Sequence, residues 1–235
     1  MAKKKTSEFT KEEIQENIRQ GNFYGFQLDK EQEIFRDAIL SDDKLIVFCN
    51  AKAGTGKTQI AFGTANLLYH SGDYDGIVCV VFPCAENKQG YLPGDITQKS
   101  EVYFEPMYQA MIKCGVEPER YIDDNSMTKQ KTGEAYIKLL TSTYLRGTNF
   151  ENKVVIIDEA QNGTVEELKK VLTRCADSNK VVVVGHTGQI DLQNPKQSGF
   201  SRYIEHFGNT DKSQICTLTK NYRGWISSFA DELYV

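Results

Sequence analysis

The sequence predicts an α/β protein, a parallel β-sheet flanked by helices on both faces, and three observations carry the prediction. Short, continuously apolar runs recur along the chain (KLIVFCN, GIVCVVFP, KVVIIDEA, KVVVVGHTG), as strands buried on both faces require. Segments with helical periodicity alternate with them, the pattern of βαβ units. The first run opens into the glycine-rich stretch AKAGTGKT, Ala51 to Thr58, and the third ends in Asp158 and Glu159. Right-handed crossovers place every strand's carboxyl end on one edge, where ligands of such sheets bind.

From the N-terminus, Thr10–Arg19 reads as a helix, with Thr10 and Glu13 as a capping-box pair and Gly21 ending it. Residues 1–24 are assigned to an N-terminal helical extension and residues 25–235 to the nucleotide-binding domain. LDKEQEIFRDAILS is a second helix, with Ile34, Phe35, Ala38 and Ile39 on one face. KLIVFCN is a central strand, and a helix follows from Lys57 to about Tyr69. GIVCVVFP is the next strand; the stretch from Pro83 to Thr97 is a long loop, and loops of that length are usually functional. QKSEVYFEPMYQAMIKCG is helical around its proline, and AYIKLLTSTYLRG is a strand leading into a loop. KVVIIDEA is a buried strand, TVEELKKVLTRCA a helix capped by Thr164 and Glu167, and KVVVVGHTGQID a strand and its exit loop. GFSRYIEHFG makes a short helix and QICTLTKNYR the last strand.

A chain of 235 residues with 40% hydrophobic and 26% charged residues fits one well-buried domain. A net charge of −4 does not announce a nucleic-acid binder, although it says nothing of a local basic groove. The six cysteines are scattered without a CxxC pair, and several lie in apolar runs, as buried reduced thiols do. MAKKKTSEFTKEE has no apolar segment of signal-peptide type, and no run approaches membrane-spanning length, so a cytoplasmic protein without membrane contact is expected.

AKAGTGKT follows a strand and opens a helix, the context a phosphate cradle requires. Gly54 and Gly56 let the backbone curl so that the N–H groups of Ala53 to Thr58 point inward, next to a helix N-terminus. Lys57 reaches β- and γ-phosphates, and Thr58 offers a hydroxyl to Mg²⁺. Ala51 stands at the motif's usual first glycine, which a methyl group tolerates where φ is negative.

Hydrolysis needs carboxylates at the end of a neighbouring strand, and VVIIDEAQN supplies them. Asp158 would hold Mg²⁺ through a water, and Glu159 would polarise the attacking water. In GHTGQID, Gln189 sits where a γ-phosphate sensor would; Asp191 is a weaker candidate. Gln32 could read an adenine edge, and reads equally as the helix-capping partner of Asp29. Phe26 or Tyr24 could stack on the base, or serve the core.

AGTGKT, GYLPGD, the spaced Tyr103, Pro106 and Tyr108, YLRGTNF, VVIIDEAQN, LTR and VVVVGHTGQID occur in the order seen in PhoH-like proteins, which the chain resembles from about Gln32 to Asp191. These are P-loop ATPases with a single RecA-like core similar to that of superfamily 1 helicases. The resemblance implies ATP and Mg²⁺ as cofactors, nucleotide binding at Gly54, Gly56, Lys57 and Thr58, and hydrolysis at Asp158 and Glu159. His186 departs from the family, standing where an Asp usually precedes the sensor glutamine. LTKNYRG, Leu218 to Gly224, resembles a helicase motif whose arginine touches the γ-phosphate from a second core. With no second core here, the resemblance implies that Arg223 acts on a neighbouring subunit of a ring-like homo-oligomer, such as a hexamer; the alternative is a surface salt bridge.

Three uses of the energy fit. The first is coupling to single-stranded nucleic acid, RNA more than DNA, with Lys88, Tyr91, Lys99, Tyr103, Arg146 and Phe150 as cations and stacking rings near the site. The second is remodelling of a protein partner, and the third is a nucleotide-dependent switch with little turnover.

Overall fold

The computed structural model describes residue 16, residues 22–82, 96–123, 134–145 and 147–231, and residue 233. Six strands form in these residues: β1 (Ile46–Ala51), β2 (Ile77–Val81), β3 (Ile137–Thr141), β4 (Val154–Asp158), β5 (Lys180–Gly185) and β6 (Ser213–Leu218). Every neighbouring pair is parallel, in the order β3-β2-β4-β5-β1-β6. The helices are α1 (Lys30–Leu40), α2 (Lys57–His70), α3 (Ile96–Lys113), α4 (Pro118–Tyr121), α5 (Val165–Leu172), α6 (Phe200–Phe207) and α7 (Trp225–Asp231).

The continuous apolar runs follow from the layering. Successive strand side chains point to opposite faces, and here both faces are covered. On one face Val47, Cys49, Ile156 and Val182 pack with Phe35 of α1, Phe62 of α2 and Met111 of α3. On the other, Phe48, Val155, Ile157 and Val183 meet Leu168 of α5 and Phe200 of α6. Each such side chain, fully withdrawn from water, contributes about 1.5–3 kcal/mol. The five described cysteines are all unpaired thiols, and burial pushes those of Cys114 and Cys175 up to about 12, so they act as small apolar side chains.

Two of the three expected capping pairs form, Asp29 with Gln32 opening α1 and Thr164 with Glu167 opening α5, while Thr10 and Glu13 lie outside the described residues. At the far edge of the sheet, Lys180 is 2% exposed and donates its Nζ to the carbonyls of Ser41 and Lys44, tying the α1–β1 turn to the start of β5. Of the helix expected over Thr10–Arg19 only Glu16 is described, and it is helical. Of the loop expected from Pro83 to Thr97, residues 83–95 lie outside the described residues, and Ile96 begins α3.

One expectation changes. The last strand stops at Leu218 instead of running on to Arg223, because the Glu31 carboxylate takes the Thr219 N–H at 2.7 Å in place of a strand partner. Residues 219–224 then form a strap that α7 follows. Tyr24 packs half-buried against the core, its hydroxyl donating to the Gly63 carbonyl (3.1 Å) and accepting from Asn66 (3.0 Å), which fits the core reading of this ring.

Candidate nucleotide site

β1 ends on buried Ala51, whose φ is not positive, so its methyl group costs the turn nothing. Gly54 (φ 76°) and Gly56 (φ 83°) then take left-handed conformations that favour glycine. Gly54 needs its hydrogen twice over, since a Cβ there would lie 2.5 Å from Asn221 Oδ1. Gly56 caps α2 with no side-chain partner, leaving the first-turn N–H groups to face a ligand. Thr55 turns its side chain inward, donating to the Lys52 carbonyl at 3.0 Å, and its own carbonyl accepts from Gln32 Nε2 at 2.9 Å.

Gln32 therefore does two jobs at once. Its Oε1 accepts the Asp29 N–H that completes the cap, and its Nε2 braces the cradle. One amide hydrogen and one lone pair of the Gln32 amide are not used by these two bonds.

β4 carries Asp158 to the same rim. Asp158 is 3% exposed and accepts from Thr58 Oγ1 at 3.0 Å and from the Glu159 N–H at 2.9 Å. Burial, then the neighbouring Glu159 charge, push its carboxyl up to about 6, against the pull of Lys57. Glu159 has φ 52°, an unusual left-handed conformation for a side chain of this size. Its Oε2 accepts from Gln161 Nε2 at 2.6 Å. β5, between β4 and β1, delivers the turn His186–Gln189, closed by a Gln189 N–H to His186 carbonyl bond of 3.2 Å.

A pocket of about 650 Å³ gathers these elements. Ala53, Gly54, Gly56, Lys57 and Thr58 line it, and so do Gln32, Glu159, Gln189 and Arg223. Thr55 and Asp158 stand behind that lining, Asp158 through its bond to Thr58. Asp191 does not line the pocket; its N–H is taken by Asn162 Oδ1 at 2.9 Å. Phe26 lines it, with 38% of its surface exposed.

The sequence pointed Arg223 at a neighbouring subunit's site; in this chain it also lines the pocket of its own cradle. β6 runs parallel to β1 and leaves the sheet on the same edge, so the strap falls across the cradle. There the Tyr222 N–H donates to the Gly54 carbonyl at 2.8 Å, and the Tyr222 hydroxyl to Asp29 at 2.5 Å.

Of the residues put forward for nucleic acid, Phe150 is 4% exposed and belongs to the core, and Lys88, Tyr91 and Arg146 lie outside the described residues. The Lys99 side chain does too, whereas Tyr103 stands half-buried on α3. Sequence reasoning missed Tyr222, Asn221 and Gln161, although LTKNYRG and VVIIDEAQN contain all three.

Among the described residues no group of three or more His, Cys, Asp or Glu could hold a metal by itself. The hydroxyl of Thr58 beside a buried carboxylate suits Mg²⁺, which takes one or two protein ligands and completes its shell with phosphate and water.

A parallel sheet, a glycine-rich turn that opens a helix after one strand, and paired carboxylates at the end of another define a P-loop NTPase fold. The chain belongs to the PhoH family: the family model described as PhoH-like protein matches residues 27–223. It is 36% identical over 183 residues to Protein PhoH of Escherichia coli K12, covering 76% of this chain and 49% of that protein. It is 37% identical over 156 residues to a PhoH-like protein of Synechocystis, covering 66% of this chain and 45% of the other. The chain thus spans about half the length of the curated relatives it matches. Its fold resembles that of the UvsW helicase from bacteriophage T4, with a TM-score of 0.53 at 14% identity, over 91% of this chain and 69% of that one. No helix among the described residues is long and apolar enough to cross a membrane.

Proposed function

We propose that this chain binds Mg²⁺·ATP and hydrolyses it to ADP and phosphate, coupled to single-stranded nucleic acid. The supporting observation is the meeting of cradle, Glu159, Gln189 and Arg223 at one pocket of about 650 Å³, with Asp158 bonded to Thr58 behind its lining. The amides of Ala53 to Thr58 and the N-terminus of α2 hold the phosphates, and Lys57 neutralises them. Thr58 and, through a water, Asp158 would hold Mg²⁺, which would supply neutralising charge to the phosphates. Glu159 orients a water towards the γ-phosphorus and takes its proton as the new P–O bond forms and the bond to the ADP oxygen breaks. Gln189 and Arg223 meet the charge that spreads over the γ-oxygens.

Coupling to RNA or DNA is supported by a fold that resembles that of a helicase and by strand-end turns that bring Gln189 and Arg223 to the pocket. A phosphate-release assay with and without short single-stranded RNA and DNA tests the proposal. Hydrolysis stimulated by RNA more than DNA, and weakened by salt, is expected. Turnover unchanged by either strand rejects the coupling, and absence of turnover rejects the ATPase. The ring-like homo-oligomer is tested separately, by light scattering on the assayed protein.

A further inference from the structure

The carboxylate next to the cradle does not stand alone. Gln161, 2% exposed, lies on the turn after Glu159 and spends both ends of its amide. Its Nε2 donates to Glu159 Oε2 at 2.6 Å, and its Oε1 accepts the His186 N–H at 3.1 Å. A Cβ at Gly185 would lie 2.7 Å from that Oε1, so the close approach depends on glycine at the end of β5. The His186 carbonyl in turn accepts the Gln189 N–H at 3.2 Å. One buried amide thus bridges the exit of β4 to the exit of β5, linking the backbones that carry two pocket-lining side chains.

We infer that Gln161 is the positioning residue of the hydrolytic step: it fixes Glu159 for the attacking water and ties it to the turn bearing Gln189. The inference rests on the ATPase reading proposed above. Glu159 needs such a tether. Its backbone is in a left-handed conformation that other arrangements would relieve, and its side chain has several rotatable bonds. The amide leaves the second carboxylate oxygen, Oε1, to accept from water. Neither end of the amide reaches the cradle, so phosphate binding does not depend on it. Removing Gln161 should loosen the geometry of attack and spare affinity for the nucleotide.

The test measures kcat by phosphate release and ATP affinity by a separate binding titration, for wild type, Gln161→Ala and Gln161→Glu, each checked for folding by its thermal transition. For Gln161→Ala, kcat falls about 10–100-fold, the usual range for losing a supporting shell or about 1 Å of alignment, while the dissociation constant stays within about threefold. Gln161→Glu keeps the shape but loses the amide N–H that Glu159 accepts, so its kcat also falls while the dissociation constant holds. Unchanged kcat in Gln161→Ala, parallel loss of kcat and affinity, or wild-type kcat in Gln161→Glu each overturn the inference and leave the ATPase reading standing. A wild-type protein without turnover overturns both.

Discussion

Thr58 Oγ1 donates to Asp158 Oδ2 at 3.0 Å, joining the first turn of α2 to the end of β4 across one hundred residues of sequence. Asp158→Asn keeps an acceptor for Thr58 and removes a buried negative charge. The nucleotide-free protein should melt at the same or a higher temperature than wild type, while the thermal shift induced by ATP with Mg²⁺ disappears. Thermal melts with and without the ligand check this, and a preserved Mg²⁺-dependent shift counts against Asp158 as a metal partner.

The same carboxyl sets a pH dependence. Its folded value is raised, to about 6, so its contribution to stability is complete below its ordinary range and is lost as pH rises through about 6. Mg²⁺ needs the ionised form and works in the opposite sense. Mg²⁺-supported ATP binding should therefore weaken as pH falls through about 6, even as this group's contribution to the free protein's stability improves. Titrations at pH 5 and pH 8 separate the two effects.

Gly54→Ala combines a left-handed backbone with a Cβ 2.5 Å from Asn221 Oδ1. Destabilisation of about 1–3 kcal/mol is expected from the backbone alone, together with loss of nucleotide binding as the strap is pushed off the cradle. Adding Asn221→Ala should recover part of the stability, because it removes the clash and leaves the φ. Urea unfolding of the single and double variants measures the difference.

Arg223 lines its own pocket, so Arg223→Ala should lower kcat by roughly 100-fold or more without help from other chains. Mixing Arg223→Ala with a Lys57→Ala partner should restore nothing. Recovery of turnover in the mixture would show the arginine acting between subunits.

Lys180→Met leaves the carbonyls of Ser41 and Lys44 without their shared donor. A loss of about 1–3 kcal/mol is expected on chemical denaturation. Lys180 begins β5, at the end of that strand remote from the nucleotide turn, so the hydrolysis rate at a temperature where the variant is folded should match wild type.

Local chemistry was readable in the sequence wherever one segment decides it. The cradle glycines, the two capping boxes and the strand ending in Asp158 form as their spacing indicates. What escaped depends on which strand lies beside which. Nothing in LTKNYRG says that β6 pairs with β1, yet that pairing lays Tyr222 and Arg223 over their own cradle. Gln161 looks like a helix-turn residue until β5 is known to sit next to β4. Phe150 looked like an exposed stacking ring because its loop is polar, but a parallel bridge to Cys175 draws it into the core.

The strand order also bears on how the chain is made. β1 leaves the ribosome well before its two neighbours, β5 and β6, which start only at Lys180 and Ser213. Until then both edges of an apolar strand stay open, the circumstance in which nascent chains adhere to one another or recruit chaperones. Fragments that stop before β5 should accumulate as aggregates, and refolding from denaturant should be slow for the protein's size, because the central pairing closes its longest loops last.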